Sequence, residues 1–331
     1  IRMHDNSHKA QQEALGILGV NLIYTSFFYE EGIDSFLDSL VHRLPRDRME
    51  IDMLSVSGPD FENVDNRMLA LNLVRRGITD ATLFDLAKNV LQPSTALYKK
   101  NILLMRGRFR PVTNVHIDMI EKGRLEFLKE KSVKAENVEL ILEFTLKDLT
   151  ADGKISDKDF VDRVDLLSSL GYTVMISNYL KHYKMLEYLS TIGKGNLMGL
   201  ILGVYNLQAI FDERYYDNLP GGLFEAFGRG FGHKVKLFLY PAINVDDGSL
   251  YDIDTIRIPD NLRGLLKYMI DNGKIAPILE YDKNCLHIMS DDVLSKIKSG
   301  GTSWEEDVPY QVVKAIKFFE LFGYENKVIG K

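Results

Sequence analysis

Cysteine, tryptophan and proline are scarce in this chain: one Cys, one Trp and nine Pro among 331 residues. Each scarcity removes a class of protein. The single cysteine, Cys285, excludes an intrachain disulfide framework and a multi-cysteine metal site. Long apolar runs are missing too. The best candidates, residues 20–28 and 197–204, are strand-sized and far short of the ~18–20 residues that span a bilayer. No membrane partner is therefore expected. Strong charge of either sign is also absent. The net charge of −6 argues against a non-specific nucleic-acid or anionic-membrane binder. What remains is ordinary globular usage, 45% hydrophobic and 27% charged, which excludes disorder and collagen-like architectures. The chain reads as a soluble, cytoplasmic protein with a small-molecule partner, compatible with a homo-oligomer. Its first residues, Ile1-Arg2-Met3-His4-Asp5, carry neither an initiator Met nor a signal pattern, so a fragment of a longer chain is expected.

Short apolar runs alternate with amphipathic stretches. Strands are expected at 20–29, 50–57, 80–85, 101–108, 138–146, 172–178, 198–203 and 235–240. Helices are expected at 33–44, 64–76, 114–129, 157–170, 182–189, 207–216, 223–231, 261–271, 293–299 and 312–322. Such alternation predicts a mainly parallel sheet covered by helices. Two topologies fit it. One is a (βα)8 barrel starting at Val20. The other divides the chain near 92–100 and begins a Rossmann-like open sheet, with helices on both faces, at Asn101.

One segment stands out chemically: Arg106-Gly107-Arg108-Phe109-Arg110-Pro111-Val112-Thr113-Asn114-Val115-His116. It follows a strong strand and opens a helix. Backbone N–H groups and the helix dipole make that position suited to a phosphate. Gly107 permits close backbone approach. Thr113 and His116, three residues apart, share a face of the first helical turn. Arg106, Arg108 and Arg110 add positive charge. These arginines also read as plain salt-bridge partners, and His116 as a satisfied helix residue.

The segment resembles the G-x-F-x-P-x-[HT]-x-x-H motif of the nucleotidylyltransferases, above all that of the nicotinamide and nicotinate mononucleotide adenylyltransferases. Gly107, Phe109, Pro111, Thr113 and His116 match it. Gly203-Val204-Tyr205-Asn206 resembles that family's G-x-D box. Residues 288–294, Gly300, Val308-Pro309 and the last helix resemble its closing segment. The chain's ending, Trp304-Glu305 to Leu321-Phe322-Gly323-Tyr324, is similar to that of a bacterial family bearing the same label by motif.

The resemblance covers roughly Asn101 to Tyr324 and favours the open sheet. It implies an N-terminal α/β region of unread role at 1–100 and a nucleotidylyltransferase-like domain at 101–331. It further implies adenylyl transfer from ATP to a mononucleotide, in NAD biosynthesis, with Mg2+ as cofactor. His116 and Thr113 would be catalytic. Gly107, Arg106, Arg108, Phe109, Arg110, Asn206 and Ser290 would hold nucleotide or phosphate. The chain departs from the pattern where Asp291 replaces a Thr, Leu294 an Arg and Asn206 an Asp. A phosphate-binding fork is lost and a like charge added. The alternatives are a protein of the same fold that binds a nucleotide or another anion as a regulator or scaffold without turnover, and a (βα)8 barrel enzyme acting on a phosphorylated metabolite.

Other residues admit two readings. Ser177-Asn178-Tyr179 end a strand, where open sheets bind ligands. Asn178 and Tyr179 are candidates for base or ribose, Lys181 and Lys184 for phosphate; a loop capped by Asn178 is the plainer account. The glycine-dense 221–232 stretch lacks a following Lys-Ser/Thr and reads as packing. Asp60, Glu62, Asp65 and Asn66 read as a capped helix start. Asp152-Gly153-Lys154 reads as a turn and cap rather than a calcium loop. Tyr215-Tyr216 and Phe318-Phe319 read as core or oligomer contacts.

Overall fold

The computed structural model describes residues 1–28, 32–151, 154–232 and 234–325. Eight strands form one open sheet: β1 (Ala81–Phe84), β2 (Val90–Leu91), β3 (Asn101–Arg106), β4 (Val138–Thr145), β5 (Thr173–Ser177), β6 (Met198–Gly203), β7 (Val235–Tyr240) and β8 (Ile275–Pro277). Their order is β8-β7-β6-β3-β4-β5-β1-β2. β3 to β8 run parallel, and β1 pairs antiparallel with both β5 and β2. The sheet has two free edges, so the barrel alternative is overturned. It also crosses position 100: β1 and β2 come from the region expected to stand apart.

Strand alternation sorts side chains onto two faces. Leu103, Met105, Leu142, Phe144, Val174 and Ile176 face one core; Ile102, Leu104, Ile141, Met175, Leu200 and Leu237 face the other. On the first face lie α3 (Asn66–Arg75), α4 (Asn114–Leu128), α5 (Asp157–Ser169), α10 (Ser290–Lys298) and α11 (Tyr310–Phe319). On the second lie α6 (His182–Gly193), α7 (Val204–Ile210), α8 (Gly222–Phe231) and α9 (Arg263–Asp271). Helices thus cover both faces, as a parallel sheet buried on both sides requires. Gly123 is where α4 sinks onto the sheet: a Cβ there would sit 2.5 Å from Ile201 Cδ1.

The N-terminal helices are α1 (His8–Phe27) and α2 (Ile33–Leu40). Residues 20–28 are therefore not a strand. Ser7 caps a helix that runs through them, and the β-branched and aromatic residues lie on its exposed surface, with Val20, Ile23 and Phe27 at 68, 63 and 82% exposure. Tyr29, the last residue of the expected strand, is outside the described residues. Of the expected 50–57 strand only Glu50 joins a ladder, in the two-residue strand Met49–Glu50 paired with Arg2–Met3. Phe36, Leu37, Leu40 and Ile51 form a separate small core, closed by Leu73 from α3.

Smaller readings divide. Asp65 caps α3, accepting from Arg67 N. Gly230 is a packing glycine, its missing Cβ replaced by Tyr183. The helix expected over 207–216 starts earlier and breaks, into α7 and a 3-10 turn at Glu213–Tyr216. Lys181, not Asn178, is the N-cap of α6. Tyr216 is core, whereas Phe318 and Phe319 are exposed. Asp152 and Gly153 are outside the described residues; Ser156 caps the following helix.

Candidate functional site

The chain leaves β3, crosses to β4 and β5 on one side, then returns to β6 on the other side of β3. This reversal opens a crevice at the carboxyl ends of β3 and β6, the place where open α/β sheets take ligands. A cleft of about 630 Å3 occupies it. Arg106, Gly107, Arg108, His116, Thr145, Lys147, Asp148, Lys181, His182, Gly203, Tyr205, Asn206, Tyr215, Ser290 and Asp291 contribute to its walls.

The motif loop is built from its interior outward. Phe109 is fully buried at φ +47°, its ring beneath Gly107; a Cβ on Gly107 would lie 3.0 Å from that ring. Gly107 therefore presents bare backbone to the cleft. Arg163 on α5 is fully buried and pairs with Asp159 through Nε (3.2 Å) and Nη2 (2.5 Å). It also donates to the carbonyls of Arg108 (2.9 Å) and Asp148 (2.8 Å). One guanidinium thus ties the loops after β3 and β4 together.

His116 lies in the first turn of α4, half-buried. Its Nδ1 accepts from Thr113 N at 3.1 Å and lies 2.9 Å from Thr113 Oγ1. An Nδ1 that accepts from a backbone amide is unprotonated, which puts the proton of the neutral ring on Nε2. Burial holds His116 neutral, pushed down from 6.5 to about 4. Thr113 itself is fully buried and does not reach the cleft. Its expected place as a catalytic group in the cleft is corrected: it sets the tautomer and aim of His116 instead.

The three motif arginines go three ways. Arg106 forks onto Glu143, Nε to Oε2 at 2.5 Å and Nη2 to Oε1 at 2.9 Å, while Ser177 Oγ donates to the same carboxylate at 2.5 Å. Glu143 is fully buried. Arg106 still borders the cleft. Arg108 crosses its mouth to Asp291 at 2.5 Å. Arg110 turns away toward Asp159, 3.5 Å distant, and does not line the cleft.

The other candidates also split. Lys181, Asn206 and Ser290 line the cleft. Lys181 Nζ donates to Tyr215 O at 2.6 Å. Lys184 is exposed on α6, away from it. Asn178 is tied by its N–H to Asp80 O, and Tyr179 packs on Tyr188 at a junction with Arg2, Glu50 and Asp80. These three are corrected: they do not line the cleft. Leu294 packs against the core.

Sequence reasoning missed Thr145, Lys147, Asp148 and His182. Thr145-x-x-Asp148 is a readable capping box, confirmed by Thr145 N donating to Asp148 Oδ2 at 2.8 Å. His182 directly follows Lys181, but only the fold shows its Nδ1 buried with no hydrogen-bond partner. Burial, aided by the Arg106 charge, pushes His182 down to about 3.

Two histidines held neutral have a measurable consequence. Between about 6.5 and 4 the unfolded chain binds protons that the folded one refuses, so stability falls as pH falls through that window. Thermal melts from pH 7 to 5 should show a declining Tm. The decline should be shallower in the His116→Gln, His182→Gln double variant; an equal slope would contradict the assignment.

Fold and cleft together define a Rossmann-like α/β protein with a polar crevice at its topological switch point. No protein-family model matches the chain, and no curated protein matches it. Among solved structures it is similar to a Plasmodium falciparum nicotinic acid mononucleotide adenylyltransferase complexed with APC. That overlap has 11% identity and a TM-score of 0.42, and covers 68% of this chain and 98% of the other. A Vibrio parahaemolyticus protein described as a nicotinate-nucleotide adenylyltransferase overlaps 68% of this chain and 97% of its own, at 13% identity and a TM-score of 0.25. Both are distant likenesses of fold. Among the described residues, no helix is long and apolar enough to cross a membrane.

Proposed function

We propose that this cleft binds a nucleotide and transfers an adenylyl group from ATP to a mononucleotide, such as nicotinamide or nicotinate mononucleotide, releasing pyrophosphate. The observation that carries the reading is His116. It is a neutral imidazole at a helix N-terminus beside bare glycine backbone, with its Nε2–H free of the contacts that fix Nδ1.

The acceptor phosphate attacks the α-phosphorus of ATP and pyrophosphate leaves, with no covalent enzyme intermediate. Catalysis is then positioning plus stabilisation of developing negative charge. His116 Nε2–H donates to a phosphate oxygen. The dipole of α4 and the cations Arg106, Lys147 and Lys181 supply the field; the α4 amides of Asn114 and His116 are themselves taken, by Asp307 O and by the Thr113 side chain. Among the described residues, no three His, Cys, Asp or Glu side chains are grouped to hold a metal. Of the acids at the cleft, Asp148 caps Thr145 and Asp291 pairs with Arg108. Mg2+ therefore fits this site as part of the Mg-ATP substrate rather than as a resident ion.

A second reading is binding without turnover. It is favoured by Leu294, which packs into the core where the family pattern has an arginine. Calorimetric titration of Mg-ATP into wild type and His116→Ala tests both. The expected loss in the variant is about 1–3 kcal/mol, the worth of a hydrogen bond to a charged group. Pyrophosphate release by wild type on adding a mononucleotide supports transfer. ATP binding without release leaves the second reading. No ATP binding refutes both.

A further inference from the structure

We infer that Asp291 is a specificity-determining residue that disfavours polyphosphate tails, by occupying the cation a phosphate would otherwise use. The inference rests on the proposed nucleotide cleft. Asp291 stands in the first turn of α10, directly after Ser290, and both border the cleft. Its carboxylate accepts from Arg108 Nη2 at 2.5 Å. The two side chains are 65% and 57% exposed, so a solute can reach the pair without unfolding anything. The other arginine of the motif loop that borders the cleft, Arg106, is locked onto buried Glu143. Arg108 is thus the exposed guanidinium of the site, and Asp291 already holds it.

The consequence depends on ligand length. A monophosphate resting at His116 and the α4 N-terminus need not touch Arg108. A longer tail that extends toward α10 meets the Asp291 carboxylate and finds Arg108 engaged. It must displace an internal anion that presents the same pair of oxygens to the same guanidinium. An exposed ion pair is weakly held, so displacement is feasible but costs affinity. Asp291 thereby tilts the cleft toward short phosphates and away from triphosphates.

The test is calorimetric titration of AMP and of Mg-ATP into wild type, Asp291→Asn and the Asp291→Asn, Arg108→Ala double variant. Asparagine keeps the shape of an exposed side chain, so folding is undisturbed; circular dichroism checks this. Asp291→Asn should tighten Mg-ATP about fivefold, the effect of one unit charge about 4 Å away in water. AMP should be unchanged. The gain should vanish in the double variant and shrink with added salt. Equal tightening of AMP and ATP would overturn length discrimination. No change in either would overturn the role of Asp291. If ATP and AMP bind none of the three proteins, the nucleotide reading itself fails and takes this inference with it. Binding of Mg-ATP to all three with equal affinity overturns only the inference.

Discussion

Arg163→Met is expected to cost the fold about 3–5 kcal/mol, the usual penalty for breaking a buried ion pair by removing one partner. Asp159 is 7% exposed and would lose both contacts from Arg163, keeping only the looser Arg110 Nε 3.5 Å away and little solvent to replace them. The carbonyls of Arg108 and Asp148 would lose their donors at the same time. Burial pulls the Arg163 guanidinium down from its ordinary value and Asp159 opposes that pull, which is the signature of a charge retained only because it is paired. Urea denaturation measures the loss. A second variant, Arg163→Met with Asp159→Leu, should recover most of the stability, because an apolar pair of similar volume is often as stable as a buried ion pair. Nucleotide binding should not recover with it, since the loops after β3 and β4 stay untethered. A single-variant loss under ~1 kcal/mol, within the range of an exposed pair, would show that the network is not structural.

Glu143→Gln is expected to be the next most severe, at about 3 kcal/mol, the low end for a broken buried pair. Glutamine keeps the shape and one acceptor but removes the charge that Arg106 forks onto and that Ser177 also uses. Arg106 is 14% exposed on its side chain, so water relieves part of the cost. The functional effect should exceed the structural one. Arg106 borders the cleft only because Glu143 aims it, and its other hydrogen-bond acceptor is the Met185 sulfur at 3.2 Å. Replacing both residues with methionine separates the two effects: stability should return while nucleotide affinity stays low. Full recovery of binding would remove Arg106 from the site.

The central strands were legible because they are buried on both faces. They carry the apolar runs 102–105, 198–203 and 237–240, with no competing helical period. Helix α1 was illegible for the opposite reason. Its second half carries Val, Ile, Tyr and Phe on a surface that faces outward, so composition imitated a strand while the helix-forming residues lay upstream, after Ser7. At the site, the motif loop and His116 were readable from local spacing. The corrections at Arg110 and Tyr179 share one cause. Each is a polar residue near the cleft in sequence whose partner comes from elsewhere in space: for Arg110 it is Asp159, and for Tyr179 the Arg2–Glu50 junction. Arg163 and Asp159 stand four residues apart on one helix and could be paired by eye, but nothing local announces that the pair is buried.

The antiparallel attachment of β1 also bears on how the chain is made. Ala81 to Phe84 pair with β5, whose residues leave the ribosome roughly a hundred positions later. At ~5–20 residues per second, that partner arrives about 5–20 s after β1 does. Through that interval the only strand paired with Leu83 and Phe84 is the two-residue β2, while α3 covers Phe84 from one face. An N-terminal portion released before β5 would expose both the apolar side chains and the open backbone edge of β1. Until residue 177 has been synthesised, that edge of β1 is an unpaired strand edge of the kind that templates aggregation.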